Sequence, residues 1–449
     1  MPIFAMLKNY TMKKILIIGA GLSASYLIKY LLANATKEKW HITLADANLE
    51  LAQKKIAKNK NGIAVALDIQ NEKQRAKFIA ASDIVVSMLP AHLHLLAAND
   101  CIKFKKHLVT ASYLSEEMKR LHTQALKANV LFLNEIGLDP GIDHLSAMQM
   151  IQNIQAKGGE IHSFESYCGG LVAPTFDDNP WNYKFTWNPR NVVLAGQATA
   201  RYLENGLLKF IPPNRIFTQT KVIKVGKSGN YEAYANRDSL SYIEPYGIGS
   251  AKTVLRGTLR KKGYSAAWNC LIKLGLTDDT YFLPHSEKLN YRELVTALIP
   301  AANTKNIETE LAKFLAITKN SSLYKKIIWL GLLEEKAIGI KEATPAQALQ
   351  KLLQEKWQLK AGELDQIVMK HEISYYLNNK LLHDHAYLVV DGENQTLTAM
   401  AKTVGLPMAI ATKLILQNKI KSRGVQIPLS REFYEPILKE LNKYGIAFK

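Results

Sequence analysis

The chain has 449 residues, 47% hydrophobic and 22% charged, which excludes a disordered, collagen-like or coiled-coil protein and allows two to four domains at roughly 100 to 200 residues each. Lys and Arg number 58 against 39 Asp and Glu, a net charge of +19, but the lysines are dispersed and lack the spacing of a finger, an RNP motif or a basic zipper. Solvated faces of lysine-rich helices account for that charge, and no nucleic-acid partner is expected.

The first twelve residues, MPIFAMLKNYTM, carry no long apolar region and no small-residue cleavage site, so no secretion signal is expected, and Met12 is a candidate ancestral start. The apolar stretch Ile15 to Ala35 is interrupted by Gly19, Gly21 and Lys29, and its first half is a strand too short to cross a bilayer; no membrane association is expected. Strands are expected at Lys14 to Ile18, His41 to Ala45, Gly62 to Leu67, Asp83 to Leu89, His107 to Thr110 and Val130 to Asn134. Between them, Ser23 to Ala33, Asn48 to Ala57 and Glu72 to Ala80 have apolar residues at helical spacing. This alternation predicts parallel crossovers and a doubly wound α/β sheet.

After Gly141 the pattern becomes longer mixed strands with Gly/Pro/Asn-rich loops, notably Gly169 to Pro180 and Tyr231 to Tyr246, an α+β arrangement. From about Ser286 to Lys370 it reads as almost wholly helical, with segments at Tyr291 to Leu298, Ile307 to Ile317, Lys325 to Leu333 and Pro345 to Leu353. A strand at His385 to Val390, a turn at Asp391 to Asn394 and a helix at Leu397 to Leu416 follow. Cys101, Cys168 and Cys270 lie far apart without a Cys-x-x-Cys pair, which excludes a disulfide framework or a cysteine zinc site and fits a reducing cytoplasm.

The run Gly19-Ala20-Gly21-Leu22-Ser23-Ala24 follows the first strand and opens a helix, as in a dinucleotide fold. Gly19 permits the tight turn, Gly21 lets a pyrophosphate approach the backbone, and the small Ala24 lets helix and strand pack closely. Asp46 ends the second strand, where a carboxylate accepts the ribose hydroxyls and repels a 2′-phosphate; NAD is therefore expected over NADP. The competing reading is that Asp46 caps the helix beginning near Asn48. Asp68, with Ile69 beside it, follows the third strand, and adenine contact and a plain turn aspartate are equally open there. Further dinucleotide contacts are expected at Leu89 on the fourth strand's end, and at Ala111, Ser112, Leu138, Asp139 and Pro140 on the next two.

Three stretches are too polar and constrained for ordinary core: Thr110 to Tyr113, Asn134 to His144, and Tyr167 to Pro174. Together with Asn179 to Trp187, Tyr234 to Ser239, Arg256 to Arg260 and Ala399 to Pro407, they resemble the motifs of the L-glutamate-forming saccharopine dehydrogenases, also called saccharopine reductases. The resemblance runs from about Lys13 to the C-terminus. It implies a Rossmann doubly wound parallel sheet (residues 1–141 and about 405–449), an α+β substrate and dimerisation domain (142–285 and about 371–404) and a small helical insertion (286–370).

The implied reaction converts saccharopine, NAD(P) and water to L-glutamate, 2-aminoadipate 6-semialdehyde and reduced cofactor, reversibly, in a cytoplasmic homodimer. By motif match the substrate contacts fall on Ser112, Tyr113, Asp139, Arg237, Thr258 and Arg260. Two arginines suit carboxylates, for which the guanidinium fork is bidentate. Asp139, Tyr113 and Cys168 are the candidate proton carriers; capping of the helix opening near Ile142 is a competing reading for Asp139, and Asp143 is an equally good candidate for that cap. His144 is expected to satisfy a local contact. His383 and His385 lack a third ligand at metal spacing, and no metal is expected. Where the family reads Gly-Gly-Leu-Pro-Ala-Pro-Glu, this chain has Val172 and Thr175, which puts the stiffness of that loop in question. Other readings are a related dehydrogenase acting on another imine, such as carboxynorspermidine, and a non-catalytic NAD-binding regulator.

Overall fold

The computed structural model describes residues 12–300 and 302–449, so the expectations about a leader and about an ancestral start concern a segment mostly outside the described residues. In chain order the strands are β1 (Lys13–Ile18), β2 (Trp40–Asp46), β3 (Gly62–Ala66), β4 (Ile84–Ser87), β5 (His107–Thr110), β6 (Leu131–Leu133), β7 (Glu160–Val172), β8 (Ala200–Glu204), β9 (Leu207–Ile211), β10 (Thr220–Val225), β11 (Gly229–Ala235), β12 (Thr253–Arg260), β13 (Asp365–Leu377), β14 (Lys380–Asp391) and β15 (Gly424–Gln426). The chain divides into two compact units, one ending at Gln152 and resuming over Thr396–Ala447, the other comprising Asn153–Gln395 and Phe448–Lys449.

In the first unit a seven-stranded parallel sheet runs in the order β15-β6-β5-β4-β1-β2-β3. Its central strands are apolar on both faces; Ile15, Leu16, Ile17 and Ile18 are all buried, as a sheet covered by helices on both sides requires. The order reverses between β1 and β4, and at such a switch point the carboxyl ends of the strands splay into a crevice. The expected Rossmann sheet is borne out, and its edge strand β15, parallel to β6, comes from the C-terminal segment. Helix Ala399–Leu416 is long and apolar enough to cross a membrane, yet 72% of it is buried inside this unit, and it reads as a core helix.

The second unit is built on a mixed sheet in the order β10-β11-β12-β7-β13-β14, with β8 pairing β12 and β9. β7 and β12 are parallel; the other pairs are antiparallel. Two expectations fail here. Gly169 to Val172 and Tyr231 to Ala235 are strand and not loop. Gly169 is small because a Cβ there would come within 2.7 Å of the Leu259 carbonyl on β12, a strand approach and not a turn. Asp365 to Lys370 belongs to β13 and not to the helical stretch; the run is buried throughout, and a fully buried strand shows no alternation to distinguish it from a helix.

The expected helices are present at Tyr291–Leu298, Ile307–Leu315, Ser322–Trp329 and Pro345–Lys356. Asn290 and Thr344 start two of them through reciprocal bonds with Glu293 and Gln347. Their apolar faces join a core centred on Trp181, Tyr183, Tyr264, Trp268 and Trp357.

Candidate active site

The glycine turn leaves β1 at Gly19, whose φ of +106° only glycine adopts freely and whose Cβ would lie 2.9 Å from the Met88 carbonyl at the end of β4. Gly21 differs. Its φ is −61° and a Cβ there would meet nothing within 4 Å, so the protein's own packing does not require glycine at this point. Open space over the backbone at the start of a helix is what a pyrophosphate needs, and Leu22 beside it is 61% exposed, an apolar surface presented outward. Ser23 is half-buried, while Ala24 is buried where helix Ser25–Glu38 begins. These residues fit a dinucleotide.

Asp46 does not have the freedom expected of it. Its Oδ2 accepts the backbone N–H of Ala20 at 2.6 Å, and its Oδ1 accepts that of Asn48 at 2.8 Å. The carboxylate therefore ties the end of β2 to the glycine turn. Lys55 joins the same cluster, donating to the Gly21 carbonyl and to Ser25 Oγ, each at 2.7 Å. Burial pushes its ammonium down to about 8, against the pull of Asp46. The helix after β2 is capped by Asn48, whose side chain accepts the N–H of Leu51. Asp68 is exposed and its Oδ1 accepts the N–H of Gln70, a turn contact; Ile69 is buried, and Leu89 packs half-buried against the core.

At the ends of β5 and β6 the loops 111–114 and 134–141 are brought together. Ala111 touches the position that a Cβ on Gly137 would occupy, at 2.8 Å. Gly141, at φ +148°, would drive a Cβ to 2.1 Å from the Gly137 carbonyl, so Leu138, Asp139 and Pro140 sit in a turn that only glycines can close. Across this junction the Tyr113 hydroxyl donates to Asp139 Oδ1 at 3.3 Å. Asp143 Oδ1 accepts the N–H groups of Gly141 and His144, which ties its carboxylate to the start of the helix Ile142–Gln155. His144, fully buried, bonds Glu135 Oε2 through Nε2 at 2.7 Å, the local contact expected of it. The other oxygen of Glu135 accepts the N–H of Leu114 at 2.8 Å, which fixes the loop carrying Ser112 and Tyr113. Neither Glu135 nor His94, which bonds the Ser112 hydroxyl, is singled out by sequence; both act across chain separations that no local pattern reveals.

In the second unit Cys168 on β7 is in register with Thr258 on β12, and Thr258 in turn with Tyr234 on β11. Arg260, two residues on, is buried. Its guanidinium carbon lies 5.0 Å from the ring centre of Tyr183, 5.3 Å from Tyr264 and 6.0 Å from Tyr234, a cation held against ring faces. Its Nη1 donates to the Leu259 carbonyl, while its buried Nε has no partner. Arg237 is exposed, at a left-handed φ of +47°. Arg256, also buried, lies 4.3 Å over the Tyr242 ring. Val172 is the buried last residue of β7, and Thr175 lies on the turn Pro174–Phe176, which forms with both departures in place. His383 and His385 stand on β14 beside Asp384; among the described residues no three His, Cys, Asp or Glu side chains are grouped to hold a metal ion.

Two family models cover nearly the whole chain: the saccharopine dehydrogenase NADP binding domain over residues 15–133, and the saccharopine dehydrogenase C-terminal domain over residues 137–446. The chain belongs to the saccharopine dehydrogenase family. The apo histidine-tagged saccharopine dehydrogenase (L-Glu forming) from Saccharomyces cerevisiae superposes with a TM-score of 0.88 at 32% identity, over 97% of this chain and 99% of that one. The saccharopine dehydrogenase [NADP(+), L-glutamate-forming] of Schizosaccharomyces pombe is 33% identical over 98% of both chains. The alpha-aminoadipic semialdehyde synthase of Arabidopsis thaliana is 37% identical over 90% of this chain. The chain spans less than half the length of that synthase and of its mammalian counterparts.

The saccharopine dehydrogenase resemblance read from the motifs is thus borne out in family and fold, but the expected preference for NAD over NADP is overturned. The matching domain model is NADP-binding, and the fungal relatives carry NADP(+) in their names. The physical reason lies in the bonds of Asp46. A carboxylate already holding two backbone N–H groups, with an ammonium in the same cluster, is a structural tie and not a free repeller of a 2′-phosphate.

Proposed function

We propose that this chain converts saccharopine, a nicotinamide dinucleotide and water to L-glutamate and 2-aminoadipate 6-semialdehyde, or runs the reverse, as a step of lysine metabolism. The observation that carries the reading is the contact of Tyr113 with Asp139 at the ends of β5 and β6, in a chain that spans nearly all of fungal enzymes bearing that name. The names of those relatives favour NADP(+) as the oxidant.

When bound, the nicotinamide supplies the hydride acceptor. Loss of hydride from C6 of the secondary amine leaves an imine; water adds to it, and the carbinolamine collapses to amine and aldehyde. The protein's share is proton movement and grip. Asp139 takes a proton from the attacking water, and Tyr113, bonded to that carboxylate, carries it toward the departing nitrogen. Cys168, in register with Thr258, is the third proton carrier. Ser112 orients the substrate, and Arg237, Thr258 and Arg260 hold its carboxylates, the buried guanidinium of Arg260 with an Nε still able to donate.

In this reading residues 1–141 with about 405–449 bind the dinucleotide, 142–285 with about 371–404 carry substrate and dimer contacts, and 286–370 form a small helical domain. A homodimer is supported by β9, an edge strand on which Leu207, Leu208 and Phe210 are about three-fifths exposed, apolar surface of the kind a second copy covers. The three free cysteines suit the cytoplasm.

Purified protein given saccharopine and either dinucleotide is expected to yield reduced cofactor and glutamate in equal amounts. Turnover of carboxynorspermidine and not of saccharopine would replace this reading, and dinucleotide binding without turnover of either would end it.

A further inference from the structure

One buried polar group at the mouth of the parallel sheet has no part in the proton movements above. His94 opens helix His94–Lys103 just after β4 and is 4% exposed. Its Nδ1 lies 2.8 Å from the hydroxyl of Ser87, the last residue of β4. Its Nε2 lies 2.7 Å from the hydroxyl of Ser112 and 3.1 Å from that of Thr110, the last residue of β5. One ring therefore gathers three hydroxyls from two neighbouring strand ends.

Burial, with His92 adding to it, pushes His94 down to about 4, so the ring is neutral near pH 7 and neither pairs with a carboxylate nor delivers a proton. A neutral imidazole offers one N–H and one lone pair. Ser87 and Thr110, both buried, would satisfy those two by themselves. Ser112 is the surplus partner; it is half-buried, and yet it takes the shorter of the two contacts at Nε2. A serine hydroxyl otherwise rotates to suit whatever is near, and a hydroxyl held by a fixed ring keeps its remaining donor or acceptor sites in one direction.

We propose that His94 is a positioning residue for the reaction: through Nε2 it fixes the Ser112 hydroxyl in the orientation that receives the substrate. The inference rests on the reading of Ser112 as a substrate contact. It separates the two ring nitrogens by task, Nδ1 anchoring the ring to β4 and Nε2 aiming Ser112.

Two substitutions divide those tasks. His94→Gln sets its amide near the place of Nε2 and keeps the bond to Ser112; His94→Asn reaches only as far as Nδ1 and keeps the bond to Ser87. The Asn variant is expected to raise KM for saccharopine about tenfold, the value of one lost hydrogen bond, with KM for the dinucleotide unchanged, and the Gln variant to recover most of that loss. Ser112→Ala is expected to match the Asn variant, and the double variant to be no worse than either, since both remove one interaction. Equal saccharopine KM in the folded Asn and Gln variants, with Ser112→Ala impaired, would overturn the role of His94 while leaving Ser112 in place. An unimpaired Ser112→Ala would remove Ser112 from the substrate site and the inference with it. Should the Asn variant not fold, the His94 ring resonances of the wild-type chain give the answer: they are expected to shift on saccharopine binding and to lose that shift in Ser112→Ala, and an unchanged shift would overturn the proposal.

Discussion

The two units differ in the polar groups that line their candidate sites. In the parallel-sheet unit the groups at the strand ends are already bonded to one another: Asp46 to two backbone N–H groups, Asp143 to two more, Glu135 to Leu114 and His144, His94 to three hydroxyls. In the mixed-sheet unit Arg260 Nε, Trp268 Nε1 and Trp357 Nε1 are buried without a partner, around a core of aromatic rings packed mostly edge to face. A buried donor left unsatisfied costs about 1 to 3 kcal/mol. The strand-end groups of the first unit hold one another in place, and of the second unit's unsatisfied donors Arg260 Nε is the one the proposed function assigns to a substrate carboxylate.

The comparison is sharpest at Asp139, a strand-end carboxylate of the first unit that accepts a hydrogen bond from the Tyr113 phenol. Asp139→Ala is expected to lower kcat roughly 100- to 10,000-fold while dinucleotide affinity, read by fluorescence titration, holds. A kcat within a few-fold of wild type would move proton transfer elsewhere, with Cys168 next to be replaced. In the second unit Arg260→Ala should raise KM for saccharopine roughly 10- to 100-fold with a smaller change in kcat, and Arg260→Lys should recover little, because an ammonium lacks the planar fork. An unaltered KM would make Arg260 a structural cation of the tyrosine cluster and nothing more.

The first unit also carries an acid weakness that the second does not explain. Burial pushes His94 and His107 down to about 4, from an ordinary value near 6.5 in the unfolded chain. Between those values the unfolded chain binds protons that the folded one refuses, so the stability from each neutral ring is complete above about pH 6.5 and is lost as pH falls toward 4. Each is worth about 3 kcal/mol over that window, and Tm should fall steeply across it. His107→Gln should flatten the fall; an equally steep curve in that variant would place the acid lability elsewhere.

How far the sequence carries depends on whether a pattern is local. The six parallel strands and the glycine turn stand out because each is a short apolar run with its own punctuation, and the motifs around Ser112, Asp139 and Arg260 keep their residues contiguous. Asp365 to Lys370 hid its strand because residues buried on both faces lose the alternation that marks one. Gly169 to Val172 resembled a loop because Gly169 answers to a crowding strand more than eighty residues away in the chain. The bonds of Glu135 to Leu114 and of His94 to Ser112 span 21 and 18 residues, and only the folded sheet brings their ends together.

The smallest expected effect tests the reading of Asp46 itself. A free carboxylate that reads the ribose would, when replaced by alanine, relax the choice between the two dinucleotides. A carboxylate that fastens the end of β2 to the glycine turn would instead, when replaced, leave the N–H groups of Ala20 and Asn48 without their acceptor and loosen the turn for both ligands alike. Asp46→Ala is therefore expected to weaken NAD and NADP by a similar factor and to lower stability by about 1 to 3 kcal/mol. Asp46→Asn, which keeps an acceptor oxygen but drops the charge, should recover part of that stability. A change in the NAD to NADP ratio larger than the change in either affinity would show that the carboxylate faces the ribose after all, and that its two backbone bonds give way when a dinucleotide arrives.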